Sequence, residues 1–198
     1  QGGERGRSAF SAVHGPGRPT TLGGMTTIIK AADPAAFLSL IPRVAGCHFQ
    51  RSIALVPFDG SRSLGVLRVD LPTGDVDRDA VAATLVGMVC KVRAADGIAI
   101  VVYTDDPLLG ADGIAHHRLV AALQAKADAC GLHVADAFCV AADGWHSYDA
   151  TPADVVPRPL SDLDPDDDLP ADLREPLPDQ ESGAELPPHT SAECDAVA

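Results

Sequence analysis

Three aspartates and one arginine are the residues whose types and spacing could do chemistry. Asp70 closes one apolar run, and Asp105 and Asp106 follow another. If the two runs are parallel strands, these carboxylates share the sheet edge at which open α/β folds bind ligands. Three carboxylates there could hold Mg²⁺, a hard ion that takes oxygen ligands. The metal could then assist phosphoryl or ester hydrolysis. The simpler role is capping and turn formation, which Pro72 and Pro107 close behind them favour. Arg68 lies two positions before Asp70, so on a strand both side chains project from one face. It can form a structural ion pair with Asp70, or recognise a phosphate or carboxylate through its planar fork.

Other candidates are weaker. His116 and His117 are adjacent, so on a helix they point about 100° apart and suit a solvent-facing pair better than a shared metal. Trp145, His146 and Tyr148, with Ser147 between them, form a compact polar and aromatic stretch. Trp and Tyr are frequent interface anchors, and equally ordinary satellite-core residues. Nucleophilic catalysis has little support. There is no G-x-S-x-G elbow, and neither Ser52 nor Ser147 has a base near it in sequence. Phosphate-cradling G-x-x-x-x-G-K-[ST] and dinucleotide G-x-G-x-x-G patterns are missing too.

The elements that must position these residues follow from periodicity and punctuation. Thr26–Ala31 is a short β-branched run that suits an edge strand. Asp33-Pro34 opens a helix as N-cap and first residue. Phe37, Leu38, Ile41, Val44 and Ala45 line one face, Pro42 should kink or end the helix, and Gly46 closes it. Ser52–Phe58 and Ser63–Leu71 flank Asp59-Gly60 and read as a hairpin. Their near-continuous apolarity suggests strands covered on both faces. Asp75 or Asp77 can cap a second helix with a stripe of Val81, Leu85, Met88, Val89 and Val92. Gly97–Thr104 reads as a central strand. Asp112 is the expected cap of a third helix, closed by Gly131. Leu132–Ala141 and Trp145–Asp149 are the last strands, joined at Asp143-Gly144. The order β-α-β-β-α-β-α-β-β predicts an α/β layered domain, with a mixed, partly parallel sheet and helices packed on it.

Charge divides the chain into three regions. It carries 28 acids against 15 Lys/Arg, a net of −13. Residues 150–198 hold 13 acids, two arginines and nine of the 16 prolines. Residues 155–198 are therefore expected to be a disordered acidic tail, extended by repulsion among Asp166, Asp167 and Asp168. Residues 1–24 are Gly- and Arg-rich and are expected to be a disordered extension, with Met25 reading as the natural start. Residues 25–154 are left as a single domain. From Met25 to Asp149, ten bases face 14 acids, an ordinary soluble surface. The case against nucleic-acid binding thus rests on the lack of a basic cluster or recognition motif. Apolar runs fall well short of the roughly 18 residues a membrane span needs. Five cysteines with no C-x-x-C spacing read as reduced thiols of a cytosolic protein rather than a zinc site.

Several stretches together are similar to a known family. They are F-L-S-L-I-P-R-V-A-G-C-H-F-Q-R-S-I-A-L-V, G-V-L-R-V-D-L-P, I-V-V-Y-T-D-D, C-G-L-H-V-A-D-A-F-C-V and D-G-W-H-S-Y. Between Thr26 and Leu160 the chain resembles the actinobacterial domain of unknown function 4192 (DUF4192). Two departures stand out. Gly46-Cys47-His48-Phe49-Gln50-Arg51-Ser52 lacks the proline of the family's stretch, and Asp149–Leu160 lacks the cysteines that relatives carry there. The resemblance implies fold and taxon rather than an activity.

The leading expectation is a cytoplasmic, non-catalytic interaction or regulatory module of an actinobacterium. Its acidic tail and the Trp145–Tyr148 patch would meet a protein partner. The alternative is a metal-dependent hydrolase using Asp70, Asp105 and Asp106, with Arg68 on the substrate anion. No cofactor or oligomeric state is specified by the sequence.

Overall fold

Seven consecutive buried residues, Ser52–Phe58, mark the centre of the fold. The computed structural model describes residues 10–13, 28–31, 33–150, 155–164, 169 and 171–180. Its strands are β1 (Phe10–Val13), β2 (Ile28–Ala31), β3 (Ser52–Asp59), β4 (Arg62–Ser63), β5 (Leu67–Asp70), β6 (Gly97–Tyr103), β7 (Leu109–Gly110), β8 (Gly113–Ile114), β9 (His133–Ala141) and β10 (Gly144–Ser147). Its helices are α1 (Pro34–Ala45), α2 (Arg78–Val89), α3 (His117–Ala129) and the short α4 (Ala171–Arg174). The main sheet runs β10-β9-β6-β3-β4-β1-β2, with β5 also on β3. β3 is antiparallel to both β5 and β6, so those two strands run the same way on either side of it. β6 and β9 are parallel, joined through α3 as the strand–helix–strand order predicts.

Alternation along the strands divides the core into two layers. Ala54, Val56, Phe58, Ala99, Val101 and Tyr103 face α1, with Phe37, Leu38, Ile41 and Trp145. Ile53, Leu55, Ile98, Ile100 and Val102 face α2 and α3. The sheet is thus covered on both sides, which explains why β3 and β6 are apolar at nearly every position.

Local signals set the helix ends. Asp33 accepts from the Ala36 N–H, Asp77 from Asp79 and Ala80, and Gly46 leaves α1 in the left-handed conformation. Four expectations need correction. Pro42 neither ends nor interrupts α1, which runs to Ala45. α2 is turned from the expected stripe: Ala82, Leu85, Val86 and Val89 are buried while Met88 is 41% exposed. Asp112 does not cap α3; it lies in the β7–β8 hairpin, and His116 is the N-cap. Four residues of the expected N-terminal extension, Phe10–Val13, form β1 and pair with β2 and β4. The rest of residues 1–24 lies outside the described residues.

The described part of residues 155–180 lies on the domain rather than away from it. Val155 and Leu173 are buried, and Leu163 and Leu169 pack against the α1 layer. Arg158 bridges Trp145 through two backbone hydrogen bonds of 3.0 Å. A few apolar side chains among the acids are enough, because each fills a gap over a core already built. Residues 181–198 lie outside the described residues.

Gly144 shows how closely this strap approaches. A Cβ there would sit 2.6 Å from the Arg158 carbonyl oxygen and 2.9 Å from the Pro157 Cβ, at a φ of +154°. Gly144→Ala is expected to cost about 2–3 kcal/mol, by forcing backbone apart. Denaturant unfolding of the variant, with proteolysis at the Pro157–Leu160 segment, checks this. Unchanged stability and unchanged cleavage would contradict it.

Candidate functional site

A cleft of about 480 Å³ opens where β5 leads into α2 and β6 leads, through the β7–β8 hairpin, into α3. Its volume is in the range of small-molecule sites. The wall contributed by α2 carries Arg78, the helix's first residue. The opposite wall is the start of α3, with His116, His117 and Arg118, and Gly110 to Ile114 form the roof. The cleft is therefore at the sheet edge where the sequence placed ligand chemistry, but on other residues.

Electrostatics at the start of α3 run against the usual pattern. Helix N-termini carry partial positive charge and favour acids. Here the first turn contains no acid, and His116 makes no capping bond with its side chain. His116 sits at φ 59°, an uncommon conformation for a residue with a Cβ. Its Nε2 is 3.2 Å from the Thr104 Oγ1 and 3.4 Å from a carboxylate oxygen of Asp106. The Asp106 N–H donates to the same Thr104 hydroxyl at 3.2 Å. His117 Nδ1 is 3.2 Å from the Ile114 carbonyl oxygen. The hydroxyl and the carboxylate meet one nitrogen of His116. A catalytic relay needs them on opposite nitrogens, so this arrangement fixes the ring rather than activating Thr104. Arg118 is paired at 3.2 Å with Asp112, and both are well exposed.

The expected carboxylate cluster does not assemble in this structure. Among the described residues, no group of three or more His, Cys, Asp or Glu could hold a metal ion. Asp70 pairs with Arg68 at 3.1 Å, Asp105 with Arg51 at 3.7 Å, and Asp106 with His116. The strand ends do share an edge. The cause of the separation is side-chain direction: Asp70 is in register with Ser52 and Tyr103 toward α1, whereas Asp106 turns to α3.

Arg68 forms the ion pair expected of it and two further contacts. Its guanidinium donates to the Gln180 Oε1 at 2.7 Å and to the Ser52 hydroxyl at 3.2 Å. The Gln50 N–H reaches the same Gln180 oxygen at 3.0 Å. The His48 N–H donates to Pro178, and Arg43 donates to the Leu173 carbonyl. Segment 171–180 thus closes over Arg68 and Ser52.

The Trp145–Tyr148 stretch is not an exposed patch. Trp145 is 1% exposed, edge-on to Phe138 and stacked by Arg158 at 4.7 Å. Strand alternation turns His146 to the other side, where it is half-buried. The Tyr148 hydroxyl donates to the Ala115 carbonyl at 2.6 Å and ties the residue after β10 to the lining of the cleft. Desolvation pushes its ionisation well above the ordinary tyrosine range. The adjacent histidines are likewise half-buried rather than a solvent-facing pair.

One titrating residue escaped the sequence reading. Asp136 lies at an irregularity in the β6–β9 pairing. Burial first, and the Asp149 charge after it, push its carboxyl from 3.8 up to about 6, against the hydrogen bonds from the Ala137 N–H and Ser147. Between those two values the folded state keeps a proton that the unfolded chain releases. Stability from this group therefore falls as pH rises through that window and is level above it. Solvent screening at this half-buried position reduces the effect to about 1 kcal/mol. Asp136→Asn should gain that much at pH 7.5 and nothing at pH 3. Equal gains at both values in urea unfolding would refute the assignment.

A family model described as Domain of unknown function (DUF4192) matches residues 34–198. No curated protein and no solved structure matches the chain.

Proposed function

We propose, since this chain belongs to the DUF4192 family of domains of unknown function, that it is a non-catalytic binding module for a small phosphate- or carboxylate-bearing ligand. The ligand occupies the cleft between α2 and α3. The observation that carries this reading is the cleft at the start of α3, where Arg78 and Arg118 stand on opposite walls and the first turn of the helix holds no acid. Asp106 and Asp112, which partner His116 and Arg118, both precede the helix. A bound anion would accept from the first-turn N–H groups and from the arginines on both walls. The tethering of His116 through a single nitrogen supports binding over turnover. The four cysteines among the described residues are free thiols, which suits a reducing, cytoplasmic setting. Placement in an actinobacterium rests on the family resemblance. That no helix among the described residues is long and apolar enough to cross a membrane is compatible with this reading.

Calorimetric titration of the full chain with inorganic phosphate, pyrophosphate and citrate tests the proposal. Saturable binding of at least one, at one site per chain and weakened by added salt, is expected. No heat and no thermal shift with any of the three would end it.

A further inference from the structure

We propose that the groove beside the end of α1 is a docking site for an extended, proline-containing acidic peptide of a protein partner, and that residues 173–180 of this chain occupy it in cis. The groove is built of donors. The Arg43 guanidinium donates to the Leu173 carbonyl, and the His48 N–H donates to the Pro178 carbonyl at 2.9 Å. The Gln180 Oε1 meets the Arg68 guanidinium at 2.7 Å, the Gln50 N–H at 3.0 Å and the Ser52 hydroxyl at 3.2 Å. Ser52 is fully buried and forms the floor. In each of these contacts the domain donates and the segment accepts. An occupant must therefore present carbonyl groups and have few N–H groups of its own to satisfy, which is what proline supplies. Pro176 and Pro178 do so here, in a stretch with neither helix nor strand from Pro176 to Asp179. Leu173 is buried and Leu177 and Gln180 are half-buried, whereas Arg174, Glu175, Pro176, Pro178 and Asp179 are exposed. The groove thus reads two leucines and an acceptor side chain. The last two anchors are three positions apart, the repeat of an extended polyproline chain.

The chemistry of the Gln180 contact makes this occupant replaceable. The acceptor is a neutral amide, although its shortest contact is to a guanidinium. A glutamate in that place would form charge-assisted hydrogen bonds, roughly twice as strong. Asp70 already pairs with Arg68 at 3.1 Å, but its side chain is 77% exposed, so water screens its repulsion of a second carboxylate. Arg43 and Arg68 stand along the groove and favour an acidic partner. Such a partner must compete with a tethered segment, whose effective concentration is about millimolar. The glutamate supplies that advantage. The groove lies on the α1 side of the sheet, so this inference stands independently of the anion cleft.

The test measures fluorescence anisotropy of labelled peptides on the full chain. One peptide has the sequence of residues 171–182, and the other carries Gln180→Glu. The Gln180→Glu peptide should bind the wild-type chain saturably, about 10-fold tighter than the native sequence. A full chain carrying Leu177→Ala and Gln180→Ala together has a weakened segment of its own and should bind both peptides at least about 10-fold tighter than wild type does. Adding Arg68→Ala to that chain should remove the preference for glutamate. Circular dichroism melts confirm that each variant folds. Hydrogen exchange on the wild-type chain provides the second readout: the Gln180→Glu peptide should speed exchange at residues 173–180 as it displaces them. Two results would overturn the proposal. One is no binding of either peptide to the folded, weakened chain; the other is binding that leaves exchange at residues 173–180 unchanged, or that keeps its glutamate preference without Arg68.

Discussion

Trp145→Ala is expected to lower stability by about 4 kcal/mol, the largest effect of any single substitution considered. Trp145 is the chain's one tryptophan and is almost completely buried. Truncation removes its contacts with the α1 layer, the edge-on packing with Phe138 and the stacking of Arg158. The last two are worth about 0.5–1.5 kcal/mol each beyond area. The cavity would also undercut the strap that begins at Val155. A Tm drop of about 8–16 °C follows for a domain of this size. Trp145→Phe separates packing from polarity. The indole N–H is buried with no hydrogen-bond partner among the described residues. Phenylalanine removes that unmet donor while keeping most of the ring, so the net change should stay within about 1 kcal/mol. Circular dichroism melts of the three proteins decide it. If Trp145→Ala costs less than about 1 kcal/mol, the ring does not organise this end of the sheet.

The second large effect concerns the cleft. Replacing both Arg78 and Arg118 by Ala should remove pyrophosphate binding altogether, and each single change should weaken it about 10-fold. Hydrogen bonds to charged groups contribute about 1.5–3 kcal/mol, so one lost contact accounts for roughly a decade. The arginines come from different helices, and a ligand held by both spans the cleft. Asp112 supplies a control of opposite sign. It engages Arg118 at 3.2 Å. Asp112→Asn should therefore release the guanidinium and tighten binding a few-fold. Calorimetry on the four variants and the wild type at fixed salt measures this. Equal affinities across the set would place the anion elsewhere.

Much of this architecture could be read from residue order. β3 and β6 were recognisable because strands covered on both faces are apolar throughout, and Asp33, Asp77, Gly46 and Gly131 punctuate helices by local chemistry. The parallel pairing of β6 and β9 followed from strand–helix–strand order. The site was less legible. Asp70 and Asp105 pointed to the sheet edge at which the cleft opens, yet which way each side chain turns depends on register with β3. The start of α3 gave no capping signal, because His116 holds a left-handed conformation and makes no side-chain capping bond, unlike the Asp and Ser residues that mark helix starts. The strap is legible in composition only as a polar tail. Composition marks a segment as too polar to fold alone, and Val155, Leu163 and Leu173 need only dock on a finished surface.

The closure over Arg68 bears on the order in which the molecule is completed. Arg68 and Gln180 are 112 positions apart, and the contacts of Gln180 with Ser52 and Gln50 span 128 and 130. As the chain emerges during synthesis, β3, β5 and β6 can pair long before residue 180 appears. Throughout that interval Arg68 and the Ser52 hydroxyl stand open to water and to any passing carboxylate. Gln180 brings one neutral amide oxygen to three donors at once and seals them without adding charge. The last described turn of the chain thus acts as a completion step: a nascent domain and a finished one present different surfaces at the same arginine.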